Sequence, residues 1–243
     1  MDWTKAKTIV MIALALTIVF LVFTYGVERI TNDTNPKLVQ EKTLELLAKK
    51  GVRITGKLPE VEERMPVLNV EFSELDQDVL EKCIRDQKGV HDVSEKAVLE
   101  YAEQFLKDCG VYDEHVTKKR VECKNGSYRI EYENRVKGFV LEESYMVCIV
   151  KDGIVTSLDR VWLKPQDFGK NKREVLSASE ALIQYMMEKK DATPVKITDM
   201  ELIYWLDPSE FDGEARLSDT AFPAWKITYN GGRYAYIKAY RSE

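Results

Sequence analysis

The hydrophobic positions divide the chain into an uncharged stretch near its start and a mixed remainder. No residue between Thr8 and Val27 is charged, a run of 20 residues. A helix of that length is about 30 Å long, which matches the hydrocarbon thickness of a bilayer. Trp3 and Tyr25 lie where interfacial aromatic residues are expected. We therefore predict that residues 1–27 form a cytoplasmic tail and one transmembrane helix.

The basic residues around this segment favour an uncleaved anchor with its N-terminus in the cytoplasm. Lys5 and Lys7 precede the apolar run, whereas the basic residues after it are more widely spaced. A cleaved signal peptide is the rival interpretation, with Thr24 and Gly26 as small residues before a cut. The run is longer than a typical signal sequence and has no A-x-A site, so we predict that the anchor is not cleaved. With the N-terminus in the cytoplasm, the remainder is predicted to be extracellular.

Apolar residues at helical spacing predict three helices after the anchor. The first begins at Pro36 and stops at Gly51, a residue type suited to the end of a helix. The second begins after Ser94 and runs to about Cys109. The third follows a Ser-x-x-Glu capping box that starts at Ser177.

Alternating apolar residues predict strands after each of the later helices, with hairpin turns at Asp152-Gly153 and Asn230-Gly231. The helices are offset by 84 residues and the hairpins by 78. We therefore predict an α+β fold in which a helix plus an antiparallel sheet is repeated. The predicted domains after the anchor are a membrane-proximal segment (28–92), the first unit (93–172) and the second unit (173–243).

Three tryptophans lie on predicted strands, at Trp162, Trp205 and Trp225. Large aromatic residues on strands are usually core anchors, and we predict that role for all three. The alternative is a peptide-binding face.

Composition and motifs favour a binding protein over an enzyme. The net charge is −5, and basic residues are interleaved with acidic ones, which argues against nucleic acid. His91 and His115 have no neighbours at metal-ligand spacing, and we predict both at the surface. The acidic loop from about Asp207 to Phe222 does not fit a calcium-binding EF-hand. We predict no catalytic residues, no cofactor and no metal.

Four cysteines follow the anchor: Cys83, Cys109, Cys123 and Cys148. Their spacing is not that of a zinc site. Four free thiols or up to two disulfides are both compatible with the sequence, with three possible pairings.

The transmembrane helix carries a candidate contact surface. Small residues recur on one side of it, at Ala6, Ala13, Thr17 and Thr24. Small residues let helices approach closely in lipid, and Ala13-x-x-x-Thr17 is a small-xxx-small pair. We predict that this side pairs with a partner's membrane helix.

The opening from Met1 to Thr8, followed directly by an apolar helix, resembles the start of the YycI family. These are regulatory proteins of the WalK–WalR two-component system of Gram-positive bacteria. The segment from Pro223 to Ile237, with its Asn-Gly turn, is similar to the closing hairpin of that family and of PepSY-type domains. Between about Val52 and Lys170 the resemblance is one of architecture alone, and cysteines are not part of the family's pattern.

The resemblance implies a membrane-anchored accessory regulator that binds a sensor histidine kinase similar to WalK, together with a YycH-like sister protein. Such a regulator would control cell-wall metabolism by protein–protein contact, and no catalytic residues carry over. The alternative is a PepSY-like binding or inhibitory module for an extracellular protease or cell-wall enzyme.

Overall fold

A computed structural model describes most of the chain after the predicted anchor, in residues 36–56, 58–61, 64–189, 193–207 and 218–240. The predicted membrane segment lies outside the described residues, and so do the four small residues Ala6, Ala13, Thr17 and Thr24. Among the described residues, no helix is both long and apolar enough to cross a membrane. The chain divides into two compact units, residues 1–52 and residues 53–243.

The described part of the first unit is mainly one helix, α1 (Pro36–Lys49). It covers the first helix predicted from the sequence. The helix ends before Gly51, whose φ of 81° is the left-handed conformation that favours glycine. Gly51 donates its N–H to the carbonyl of Ala48 at 3.0 Å, which closes the last turn.

The remaining elements form an α+β fold, as the sequence predicts. The helices are α2 (Gln77–Asp86), α3 (Glu95–Asp108) and α4 (Ala178–Glu188). The strands are β1 (Val52–Ile54), β2 (Arg64–Met65), β3 (Leu68–Phe72), β4 (Val116–Lys124), β5 (Ser127–Val136), β6 (Phe139–Lys151), β7 (Ile154–Val161), β8 (Leu163–Phe168), β9 (Arg173–Glu174), β10 (Val195–Trp205), β11 (Ser218–Tyr229) and β12 (Arg233–Lys238).

Ten of the described strands form one mixed sheet, and β2 and β9 form a small second sheet. The order along the large sheet is β4-β5-β6-β10-β11-β3-β8, with β7 also on β6, β12 on β11 and β1 on β10. The pairs β4–β5, β5–β6, β6–β7, β10–β11, β11–β12, β11–β3 and β3–β8 are antiparallel. Strands β6 and β10 meet in parallel at Leu141 and Tyr204. These two strands therefore join the part of the sheet that follows α3 to the part that follows α4.

Strand β6 carries a bulge at this junction. Glu133 of β5 pairs with Tyr145, and the next residue, Asn134, pairs with Leu141. Residues 142–144 consequently have no partner in β5. The two halves of β6 also have different neighbours on the other side, β7 after the bulge and β10 before it.

Helix α3 covers one face of the first part of the sheet. Its buried stripe of Val98, Ala102, Phe105 and Leu106 belongs to one cluster with sheet residues such as Ile130 and Met146. These apolar contacts explain the helical spacing seen in the sequence. Ser94 is the N-cap as predicted, although its side chain makes no capping bond and instead donates to Asp92 at 2.9 Å.

Helix α4 covers one face of the second part of the sheet. Its predicted capping box is confirmed: Glu180 accepts from the backbone N–H of Ser177, and Ser177 accepts from the N–H of Glu180. Trp225 is completely buried near the N-terminal end of α4 and donates its indole N–H to the carbonyl of Leu176 at 2.8 Å. The ring of Tyr185 packs against Tyr229 at 5.6 Å.

Both predicted hairpin turns are confirmed. Asp152 and Gly153 have φ values of 52° and 78°, and Asn230 and Gly231 have 45° and 83°. Two successive positive φ values define the turn whose twist matches a two-stranded hairpin. Gly153 is also packed against the backbone, since its carbonyl accepts from the N–H of Val90 at 2.8 Å.

Several elements differ from the sequence prediction, among them the two-residue strands β2 and β9, which were not predicted. Helix α2 was also missed, because Leu80 is its only fully buried residue and its apolar positions are separated by charged ones. Strand β8 was not predicted either, since Pro165 argues against a strand. Strand β11 begins at Ser218, so the predicted loop from Asp207 to Phe222 was drawn too long.

Candidate interaction face

Helix α4 covers one face of strands β10, β11 and β12. The apolar cluster on the other face, around Ala224, contains no residue of a described helix. Along β11, Trp225 is buried on the side of α4, and its partners there are Leu202 of β10 and Ile237 of β12. Because successive strand residues point to opposite faces, Ala224 and Lys226 lie on the other side. We call this side the open face.

Three aromatic side chains form a strip across the open face. The rings of Trp205 and Tyr236 are stacked, with centroids 5.0 Å apart and planes at 19°, and Tyr234 lies 5.5 Å from Tyr236. Trp205 and Tyr236 belong to the outer strands, and they pack around the small residue Ala224 on the strand between them. We name Trp205, Tyr234 and Tyr236 the aromatic strip.

The prediction that all three tryptophans are core anchors is confirmed for two of them. Trp162 and Trp225 are 1% and 0% exposed, and each indole N–H is bonded inside the protein. It is wrong for Trp205, which is half-buried on the open face. Trp205 pairs with Phe222, which alternation places on the side of Ala224, so its ring lies on the face opposite α4 and is not covered by that helix.

Acidic and basic side chains hold the strip in place. The carboxylate of Glu142 accepts from the hydroxyl of Tyr236 at 2.8 Å and from the ammonium of Lys226. The same ammonium lies 5.2 Å from the ring centroid of Tyr234, a cation–π distance. Burial and the bond to Glu142 raise the pKa of Tyr236, so the hydroxyl stays a donor at physiological pH.

Glu143, the next residue of the β6 bulge, is held in a different environment. Burial raises the pKa of its carboxyl to about 7, and a bond from the backbone N–H of Leu206 at 3.2 Å opposes that rise. The bulge thus places two neighbouring carboxyl groups beside the open face. One is tied to a cation and a phenol, and the other changes its charge near neutral pH.

A cleft of about 440 Å³ lies beside β12 and continues the strip. Trp205 and Tyr236 line it from the open face, and Gln184 and Glu188 line it from α4. Strand β12 pairs with β11 alone among the described residues, so its outer edge faces this cleft. Charged groups around the cleft are Lys238, bonded to Asp207 at 2.7 Å, and Arg173, 5.6 Å from the ring of Tyr240.

This arrangement is suited to binding a partner. Partly exposed aromatic rings beside fixed charges give a surface that can bury apolar area and align polar groups on a partner. Within the described ranges, no group of three or more His, Cys, Asp or Glu side chains is placed to hold a metal ion. His91 is exposed as predicted, whereas His115 is half-buried and its Nδ1 lies 3.2 Å from the carbonyl oxygen of Arg135.

Sequence reasoning reached this face only through the tryptophans. The residues predicted to bind a partner, Ala6, Ala13, Thr17 and Thr24, lie outside the described residues. Tyr234, Tyr236 and Glu142 were not singled out, although alternation along 234–238 places the two tyrosines on one side of a strand. No family model matches the chain, and no curated protein matches it.

Proposed function

We propose that the chain is a membrane-anchored, extracytoplasmic accessory regulator of a two-component sensor histidine kinase that controls cell-wall metabolism. It is not an enzyme, and it acts by protein–protein contact. The observation that carries the contact part of the proposal is the aromatic strip on the open face. Tyr234 is 57% exposed on the edge strand β12, and Trp205 is half-buried at the end of β10.

Exposed rings of this kind are the usual anchors of a protein interface. Tryptophan and tyrosine bury a large area with few rotatable bonds, and they dominate the binding energy of many interfaces. The stacked Trp205 and Tyr236 are already fixed by Glu142 and by the sheet, so little side-chain entropy is lost on binding. The strip therefore offers a preorganised contact.

The sequence supports the anchor and the identity of the partner. The resemblance of residues 1–8 to the YycI family favours a WalK-like kinase and a YycH-like sister protein as partners. A membrane helix over residues 8–27 would hold the remainder near the outer domain of such a kinase. A regulator changes kinase activity when it binds one kinase conformation more tightly than another.

The repeated-unit interpretation is part of the same proposal. Helix α3 is followed by the antiparallel strands β4 to β7, and helix α4 by β10 to β12. The domains proposed are the membrane-proximal segment 28–92 and two related units, 93–172 and 173–243. We propose that the second unit, which holds the aromatic strip, makes the contact with the partner.

Co-purification from the native host tests this function. The full chain is tagged, membranes are dissolved in a mild detergent, and a kinase enriched above an unrelated single-pass protein is the expected result. Trp205→Ala combined with Tyr234→Ala should lower the kinase yield about tenfold, since truncating an interface anchor commonly has that effect. Met187→Ala is the matched control, because Met187 is 80% exposed on α4 and therefore lies away from the open face.

The outcomes separate the two contact surfaces. Replacing Ala13 and Thr17 with leucine tests the membrane helix, because larger side chains prevent close approach in lipid. Loss of the kinase in this variant alone would place the contact in the membrane and refute the role of the strip. An unchanged yield in both variants would refute contact through either surface.

The alternative function is a PepSY-like binding or inhibitory module for an extracellular protease or cell-wall enzyme. It is favoured by the arrangement of α4 over β10 to β12 and by the edge cleft, which suits an extended peptide. In that case the chain from Asn32 onward would bind or inhibit a secreted hydrolase without its anchor. Enrichment of such a hydrolase in the absence of any kinase would favour this function over the regulator.

A further inference from the structure

Helix α2 brings one cysteine against the end of another helix. Leu80, Cys83 and Ile84 lie on one side of α2 at helical spacing and pack against the cluster that contains Cys109. Cys109 is the C-cap of α3. Val79 of α2 and Cys109 also line one cleft of about 390 Å³, which independently places the two helices side by side.

The two thiols are neighbours but differ in exposure. Cys83 packs against the buried cluster that contains Cys109 and Cys148, and the nearby Cys83 thiol adds to burial in raising the pKa of Cys109. Cys83 is half-buried, whereas Cys109 and Cys148 are buried, and all four cysteines are free thiols in this structure. Cys123 is exposed on β4.

Burial decides which sulfur reacts first. Burial raises the pKa of Cys148 to about 12 and also raises that of Cys109, so neither readily forms a thiolate. The thiolate is the nucleophile in disulfide exchange. Cys83 is the member of the group that an outside reagent can reach.

We propose that Cys83 and Cys109 are a reactive thiol pair that forms a reversible disulfide by exchange with a low-molecular-weight disulfide. The Cys83 thiolate attacks one sulfur of the reagent, whose S–S bond breaks and releases one thiol. Cys109 then gives up its proton and attacks the Cys83 sulfur of the mixed disulfide, which releases the second thiol. Two cysteine thiols are thereby oxidised to one disulfide, and the reagent is reduced to two thiols.

The bond would tie α2 to the end of α3 and close a loop of about 26 residues. In the described residues, α2 is held mainly by its apolar side and by Gln87 at its end. The amide of Gln87 donates to the carbonyl of Val155 and accepts from its N–H, both at 2.7 Å. Closing a loop of this size lowers the entropy of the unfolded chain. The proposal is independent of the proposed function.

Oxidised glutathione is the probe for this pair. The full chain in a non-ionic detergent is incubated with it, free thiols are blocked in denaturant, and peptides are mapped by mass spectrometry. We expect a cross-linked peptide that joins Cys83 to Cys109. Cys148 should remain a free thiol and carry the blocking group, and Cys123 should carry glutathione without forming a disulfide within the protein. The thermal midpoint of the oxidised chain should rise by about 5 °C or more.

Variants distinguish the pair from general reactivity. Cys109→Ala should trap glutathione on Cys83, whereas Cys148→Ala should leave the Cys83–Cys109 link unchanged. Stable glutathione on Cys83 in the wild-type chain, or a link from either residue to Cys148, would overturn the proposal. The mapping on the wild-type chain decides the question even where a variant fails to fold.

Discussion

Glu143 makes a prediction about the pH dependence of stability. Burial on the β6 bulge raises the pKa of its carboxyl from 4.5 to about 7. The folded protein thus binds a proton that the unfolded chain has already lost between those two pH values. Proton binding by Glu143 therefore contributes to the free energy of unfolding. This contribution is complete below about pH 4.5 and is lost as the pH rises through about 7. Glu143→Gln should therefore stabilise the protein at pH 8 and change little at pH 4.5.

The size of the effect follows from the change in pKa. One pH unit corresponds to about 1.4 kcal/mol, so a rise from 4.5 to about 7 sets an upper value of roughly 3 kcal/mol. Glu143 is only partly buried, and solvent screening reduces the expected gain to about 1–2 kcal/mol. Glutamine retains an oxygen that accepts the N–H of Leu206, so the hydrogen bond seen at 3.2 Å is preserved.

Urea unfolding of the full chain in a non-ionic detergent measures this gain. The free energy of unfolding is determined at pH 4.5, 6 and 8 for the wild type and for Glu143→Gln. Glu81→Gln on the exposed side of α2 is the control for removing one negative charge from the surface. Equal differences at all three pH values, or destabilisation by Glu143→Gln at pH 8, would show that this carboxyl is charged and well accommodated in the folded protein.

Two further substitutions test the packing. Gly153→Ala should destabilise the protein by about 3 kcal/mol or more, since the new Cβ would collide with the carbonyl of Val90. Gly126→Ala is its control: φ is similarly positive but no atom lies within 4 Å, so denaturant unfolding should show a loss of about 1 kcal/mol. Trp225→Phe should lower the free energy of unfolding by about 2–4 kcal/mol, because it leaves a cavity and an unpaired carbonyl at Leu176. A loss below about 1 kcal/mol would contradict the buried hydrogen bond of the indole.

Local rules explain the elements that could be predicted from the sequence. Pro36, Ser177 and the turns at Asp152-Gly153 and Asn230-Gly231 act through their own backbone or their nearest neighbours, so their effect is readable in a short window. Helix α2 was not predictable in this way. Most of its side chains are exposed, and it is held by Leu80, Cys83 and the amide of Gln87, whose partners are far away in sequence.

The candidate site needed the tertiary structure. Trp162, Trp205 and Trp225 look alike in sequence, and their burial depends on where a helix packs on the sheet. The β6 bulge brings Glu142 to Lys226 and Tyr236, residues more than eighty positions away. No short pattern indicates a parallel contact between β6 and β10, because it depends on how the whole sheet is assembled.

The β6 bulge has a mechanical consequence. A single continuous strand runs through both the α3-covered and the α4-covered parts of the sheet, so neither part can rotate without bending that strand. Residues 142–144 have no partner in β5 to resist the bend, and curvature would concentrate there. A load applied at the aromatic strip would thus reach the α3 side through Glu142 and Glu143, which are tied to the end of β10, to β11 and to β12 by side-chain hydrogen bonds.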